Sequence, residues 1–331
     1  MNAVQPLTED DPQRQQKLAQ FVESHEQQHA MTGSRGMRLH YVYYPQHNKP
    51  TIVIAPGRAE AAFKYRELAM DCYQRGFQVA VIDHRGQGLS ERFFPQRQLG
   101  HMDDFDYAAN DLLQLAKRVQ FGRQPCFLIA HSMGATIGLR ACQLDPSRFS
   151  RMALMAPMLS LSLPMPSVLM SLYLWWRSSK EKVAWRKHRQ PPDYISADRR
   201  EYQDGGFRNN PLTSSLVRYK AFREMYEQQP ELQLGGPTAG WLRAALKLIA
   251  TVFDHLNDIQ TPMLVALADD ERVVTPAGQH KLRQRLAHSS LPQQWLQLEQ
   301  CRHEPLLEVD AVRTPLIERI SEFFTEQSAT R

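Results

Sequence analysis

Residues Leu128–Leu139 read LIAHSMGATIGL, an apolar stretch that runs through Ala-His-Ser-Met-Gly into a row of small helix formers. This is the layout of a nucleophile elbow. In the pattern G-x-S-x-G the residues two before and two after the serine must be small, because the strand-to-helix turn is too sharp for larger side chains. Ala130 stands where the first glycine is usual, a departure of one methyl group, and Gly134 keeps the second. A serine here would also suit a helix N-cap, but a cap alone does not call for small residues on both sides. Ser132 is therefore the candidate nucleophile.

Outward from the elbow, short apolar runs alternate with helical patterns. MRLHYVYYP (37–45), TIVIA (51–55), FQVAVID (77–83), CFLIA (126–130) and RMALMAP (151–157) predict strands. YRELAMDCYQRG, closed by Gly76, and HMDDFDYAANDLLQLAKRV, with acids early and bases late, predict helices. After about a hundred residues without a strand pattern, PMLVALA resumes at 262, followed by a helix, then QQWLQLE, then a closing helix. Continuously apolar strands separated by helices predict an α/β fold with a mostly parallel sheet covered on both faces. The expected organisation is a polar N-terminal segment (1–36), helical at best, a core formed by 37–157 and 261–331, and a helical cap inserted at 158–260.

Length and composition agree. The chain has 331 residues, 42% of them hydrophobic and 23% charged, which fits a folded globular protein and excludes a polytopic membrane protein. Cys72, Cys126, Cys142 and Cys301 are far apart and form no C-x-x-C pair, so they predict buried thiols in a reducing compartment and no metal site. The N-terminus lacks a secretory signal pattern, and a cytoplasmic location is expected. The formal net charge is +5, and the stretch Arg177–Arg189, with six bases and one acid, accounts for all of it. It follows the uncharged run 152–176, which Pro157, Pro164 and Pro166 interrupt too often for a membrane span. Trp175, Trp176 and Trp185 beside Lys180, Lys182, Arg186 and Lys187 have the composition of an element that lies on an anionic membrane face. A solvated helix with one packed side is the plainer alternative. Nothing predicts nucleic-acid binding, because the rest of the chain is neutral and carries no such motif.

A serine hydroxyl needs a base to take its proton, and the base needs a group to orient it. In this kind of sheet the partners follow in the order serine, acid, histidine, in loops after later strands. Of the twelve histidines, His303 alone follows the last predicted strand and precedes the last helix. The loop after PMLVALA offers Asp269, Asp270 and Glu271 as the acid. The amide after the nucleophile, that of Met133, is one candidate donor to an oxyanion.

With these residues in view, the sequence resembles the α/β-hydrolase superfamily, in its lysophospholipase L2 and monoacylglycerol lipase branch. The motifs that carry the resemblance are PGRAEAAFKYRELA from Pro56, DHRGQGLSER from Asp83, GHMDDFDYAANDL from Gly100, AHSMGA, LGGPTAGWL from Leu234, ADDERVV from Ala268 and RHEPLLEVDAVR from Arg302. It spans nearly the whole chain from Met37 on. The resemblance implies Glu271 as the acid, ahead of Asp270, in a position where aspartate is commoner. It also implies the Arg58 amide as the second oxyanion donor, with Pro56 replacing the usual histidine. His84, Arg85 and His101 match positions that brace loops, His131 is expected to point away from the nucleophile, and RGQG lacks the residues of a phosphate loop.

The implied activity is a serine esterase acting on a single-chain lipid ester through an acyl-enzyme, a lysophospholipid first and a monoacylglycerol second. A transacylase side activity accompanies it, and no metal or organic cofactor is expected. Other activities known on this fold are release of N-terminal proline, short-chain ester hydrolysis, and binding at a membrane surface without catalysis. Oligomeric state, headgroup and acyl length are not legible.

Overall fold

The computed structural model describes residues 7–326 apart from 163, 165, 166 and 197–199. Eight strands form one sheet: β1 (Gln27–Thr32), β2 (Arg38–Tyr44), β3 (Thr51–Ala55), β4 (Gln78–Ile82), β5 (Cys126–His131), β6 (Arg151–Met155), β7 (Met263–Ala268) and β8 (Gln293–Leu298). Their order across the sheet is β1-β2-β4-β3-β5-β6-β7-β8. β1–β2 and β2–β4 pair antiparallel, and every other neighbour pair is parallel. The α/β reading therefore holds.

The central strands β3 to β7 are almost wholly apolar and buried because both faces of the sheet are covered there. Val53, Ala80, Leu128 and Leu154 face one layer, which contains α3 (Phe105–Val119), α4 (Met133–Leu144) and α7 (Ala239–Asp254), with Leu282 and Leu286 of α8 (Pro276–Leu286). Their neighbours Ile52, Val79 and Ile129 face the other, formed by α1 (Arg14–His25), α2 (Arg66–Gln74), α6 (Leu216–Gln228) and α9 (Asp310–Thr325). Parallel strands send the loops after β3, β5, β7 and β8 to the same edge of the sheet, which is where the candidate site residues lie.

The N-terminal expectation needs correction. Residues 27–32 are a strand, not helix or coil, paired with β2 from Gln27↔Tyr43 to Thr32↔Arg38. Of QQHAMT only Met31 is buried, so the sequence shows no alternation. The open edge of β2 recruits the segment through backbone hydrogen bonds, which any composition can supply.

Between β6 and β7 the described residues form three α-helices, α6, α7 and α5 (Ser167–His188). Tyr219, Phe222 and Tyr226 of α6 join one layer, and Trp241, Ala244 and Leu248 of α7 join the other. α5 is different: its buried apolar contacts are those of Met170 and Leu174 against Ala239 and its neighbours. No helix among the described residues is long and apolar enough to cross a membrane. The four cysteines are buried and free.

An ionic cluster ties α1, α2, α6 and α9 together. Glu67 accepts hydrogen bonds from Arg14 (2.5 Å) and Arg218 (2.9 Å), while Arg218 also donates to Asp310 (2.6 Å) and Arg313 to Asp71 (2.5 Å). Burial pushes the Glu67 carboxyl up, but Arg313, Arg218 and Arg14 outweigh it and hold the group at about 2. Its folded value lies below the ordinary 4.5, so its contribution to stability is complete above that pH and is lost as pH falls toward 2. Replacing Glu67 by Gln is expected to destabilise the protein by about 3–5 kcal/mol at neutral pH and to flatten the acid limb of its stability curve, measured by urea unfolding at stepped pH.

Candidate active site

Ser132 sits between the last residue of β5 and the first of α4, with φ 50° and ψ −113°. Such a backbone costs on the order of 1–3 kcal/mol and persists only where the surroundings fix it. They do so here. The Ser132 amide donates to the Met155 carbonyl (2.9 Å), and the Met158 amide donates to the Ser132 carbonyl (3.1 Å). The helix that follows approaches β3 so closely that a Cβ on Gly134 would lie 2.1 Å from the Ala55 carbonyl oxygen. Glycine is required there for that reason.

The loops after β7 and β8 bring the other two candidates to the serine. His303 Nε2 lies 2.9 Å from Ser132 Oγ, and its Nδ1 lies 2.8 and 2.9 Å from the two oxygens of Glu271. All three side chains are buried. Burial pushes the Glu271 carboxyl up, but the hydrogen bond and charge of His303, with the Val273 and Val274 amides, hold it below its ordinary value. Those amides donate at 2.8 and 3.1 Å to the same Glu271 oxygen and fix the carboxylate's orientation.

Asp270, the second-ranked acid, is turned away from His303. It takes a bidentate pair from Arg272 (2.7 and 2.5 Å) at the surface. Asp269 has another use: it accepts from the Gln300 and Cys301 amides, both at 2.9 Å, and so fastens the β7 loop to the β8 loop that carries His303. Sequence gave no signal for this clamp, since its partners are backbone groups.

Met133 is the first residue of α4, so its amide is among the N–H groups a helix leaves without an intrahelical acceptor. Arg58 follows Gly57 in the loop after β3. Its guanidinium donates to the Gly235 carbonyl and lies over the Trp241 ring at 5.3 Å. That loop is braced by Asp83, which accepts from the Ala62 amide (2.7 Å) and from the Leu89 amide (2.9 Å). His131 points away from the serine side chain, into a buried polar group. Its Nδ1 is 2.9 Å from Glu60 and its Nε2 is 2.9 Å from the His303 carbonyl oxygen. Glu60 was not singled out in the sequence, where an acid in a loop carries no distinguishing pattern.

The tryptophans and bases of α5 divide into two sets. Trp175 and Trp176 are more than half exposed, next to exposed Val168, Leu169 and Leu172, and Lys180 lies over the Trp176 ring at 4.5 Å. Trp185 instead packs edge-on against Phe94 at 4.9 Å. With Lys182 and Arg186 it faces a cavity of about 270 Å³ whose opposite wall includes Arg35, Phe93 and His101. His101 and Gly240 of that wall adjoin Gly100 and Trp241, which touch the Arg58 side chain. Lys187 lies in the exposed last turn of α5. Among the described residues no group of acids, histidines and cysteines is placed to hold a metal ion.

Sheet order, elbow and loop placement define an α/β-hydrolase. The chain belongs to the serine aminopeptidase S33 family, whose model matches residues 46–310. It is 32% identical to lysophospholipase L2 of Escherichia coli over 304 residues, covering 90% of this chain and 87% of that protein. It is 27% identical to the probable lysophospholipase L2 of Haemophilus influenzae, covering 94% and 96%. In three dimensions it is similar to a thermostable carboxyl esterase of Bacillus coagulans, with a TM-score of 0.71 at 16% identity over 91% of this chain and 98% of that one.

The hydrogen-bond pattern separates the two acids. Glu271→Gln is expected to lower kcat for an ester substrate by about 10⁴-fold, as an amide cannot hold the charged imidazole. Asp270→Asn should leave kcat close to that of the parent protein. Steady-state kinetics of the two variants decide between them.

Proposed function

We propose that the protein is a lysophospholipase: it hydrolyses the fatty-acyl ester of single-chain phospholipids. The carrying observation is the hydrogen-bonded chain from Ser132 through His303 to Glu271, in a chain whose relatives include proteins named lysophospholipase L2. In this reading Ser132 Oγ attacks the ester carbonyl while His303 Nε2 takes its proton. Glu271 holds the imidazolium that forms. The amides of Met133 and Arg58 receive the oxyanion, where one such donor is worth about 3 kcal/mol in the transition state. The tetrahedral intermediate collapses, His303 returns the proton to the leaving alcohol, and the acyl chain remains on Ser132. A water activated by His303 then releases the fatty acid. A lipid alcohol in place of that water gives the transacylase side reaction.

The headgroup assignment rests on the cavity beside α5. Arg35, Lys182 and Arg186 bring three cations, against the two carboxylates of Asp103 and Glu181, the latter already paired with Arg177, to a space of about 270 Å³, smaller than the roughly 300 Å³ at which pockets for whole drug-sized ligands begin. A phosphate ester suits it better than the uncharged glycerol of a monoacylglycerol, which has no use for those cations. The exposed Val168, Leu169, Leu172, Trp175 and Trp176, with Lys180 beside them, support α5 as the element that rests on an anionic membrane from which the substrate is drawn.

Fatty-acid release from a lysophospholipid, a monoacylglycerol and a short nitrophenyl ester, compared for the parent protein and Ser132→Ala, tests the reaction. Release from the lysophospholipid that vanishes in the variant is expected; activity confined to the short ester would overturn the substrate. Joint replacement Lys182→Glu and Arg186→Glu should raise KM for the lysophospholipid and leave that of the short ester in place. Trp175→Ala with Trp176→Ala should weaken co-sedimentation with anionic vesicles while sparing turnover of the soluble ester.

A further inference from the structure

His131 contains two ring nitrogens, and each faces a group that can only accept. Nδ1 is 2.9 Å from Glu60 Oε2, and Nε2 is 2.9 Å from the carbonyl oxygen of His303. A neutral imidazole has one N–H and would set a lone pair against one of these acceptors. Glu60 is not itself the donor. Its oxygens take hydrogen bonds from the Gly57 amide, from Tyr65 Oη (2.7 Å) and from Lys64 Nζ (2.7 Å), which is the surrounding of a carboxylate. The carbonyl of His303 has no proton to give. Both protons must therefore be on His131.

The charges agree with the hydrogen bonds. Lys64 bridges Glu60 and Glu304, 2.7 Å from each, and all three are buried. Two carboxylates and one ammonium leave this cluster one positive charge short, and an imidazolium at His131 closes it; an uncompensated buried charge is strongly unfavourable. Among the described residues, Tyr65, Tyr226 and His84 add no cation to it: Tyr65 and Tyr226 are phenols whose ionisation burial opposes, and His84 is kept neutral by burial, at about 4. Burial disfavours the charged ring of His131, but the charge and hydrogen bond of Glu60, with Glu304 and the His303 carbonyl, outweigh it and raise its affinity for the proton.

We propose that His131 is a permanently protonated positioning residue that grips the backbone of His303 from behind, so that the dipeptide His131-Ser132 holds the base at both its carbonyl and its Nε2. The proposal rests on the reading of Ser132, His303 and Glu271 as the hydrolytic triad. It gives the residue before the nucleophile two tasks. The Nε2–H bond fixes where the His303 main chain lies, and through Glu60 the same ring is tied to the Gly57 amide in the loop that presents Arg58. The ring also places a fixed positive charge 4.9 Å, centroid to centroid, from the ring of His303.

Nitrogen-15 NMR of the intact, histidine-labelled protein reads the proton count directly. Two N–H signals from His131 that persist from neutral pH into the alkaline range are expected; one unprotonated ring nitrogen at neutral pH would overturn the proposal, whatever the substrate proves to be. In kinetics, His131→Asn should lower kcat by about 10- to 100-fold, the scale of a small misplacement of a catalytic group. KM should hold, so the loss falls on kcat and not on substrate binding. A variant with the parent's kcat would refute the positioning role. Loss of stability alone would leave kcat per folded, active-site-titrated molecule in place. If the variant does not fold, Glu304→Gln serves in its place: with one carboxylate fewer, His131 is expected to lose its proton at lower pH in the same NMR titration. Failure of the triad reading would show itself separately, as ester hydrolysis that survives Ser132→Ala.

Discussion

The turn at Ser132 is the constraint around which the rest of the molecule is arranged. A residue held at φ 50° and ψ −113° is unfavourable in isolation, and it survives here because every neighbour is fitted to it. β6 accepts its amide, the loop after β6 donates to its carbonyl, and Gly134 lets α4 press against the end of β3. These contacts come from two other strands, a loop and a helix, so the turn forms only once the sheet has assembled. The strain and the sheet are in that sense one structure: the same parallel packing that buries both faces of β5 also drives its last residue out at the edge where the loops of β3, β7 and β8 converge.

Behind the serine, the protein uses buried charge to set the spacing of those loops. Glu60, Lys64, His131 and Glu304 come from the β3 loop, the elbow and the β8 loop; Lys64–Glu60 lies within the first, while Glu60–His131 and Lys64–Glu304 cross from it to the other two. A second ionic group, around Glu67, Arg218 and Arg313, does the same for the helices of one face. Buried ion pairs add little net stability against an apolar replacement, but they tolerate few alternative arrangements. Their place here is beneath the loops that must be held in one geometry. The strand interiors carry almost none.

α5 is the exception to this economy. It has few buried contacts of its own, exposes a row of large apolar side chains, and directs its second half toward the cavity shared with Phe93 and His101. The division is set by helical geometry: side chains three and four apart share a face, so one basic and aromatic sequence divides between solvent and cavity. Trp175 and Trp176 belong to the first set and Trp185 to the second, although composition makes all three alike.

The alternation of apolar runs and helical patterns was enough to place the strands from Arg38 to Leu298 and to give the α/β class, because the central strands, buried on both faces, are almost wholly apolar. β1 escaped because an edge strand of polar residues is held by backbone hydrogen bonds, which leave no mark on side-chain pattern. At the site, the small residues around Ser132 recorded the sharp turn, and chain position singled out His303, since both follow from local geometry and topology. Which of three consecutive acids meets the histidine was open to residue spacing alone. The fold decided it: Asp269 is taken by backbone amides, Asp270 by Arg272, and Glu271 alone is turned inward toward Nδ1. The contacts of His131 with Glu60, separated by 71 residues, and with His303, separated by 172, were likewise beyond sequence. Sequence by itself determined what each segment had to be; tertiary packing decided which polar groups would face one another, because that depends on distances between segments that are close only after the sheet has formed.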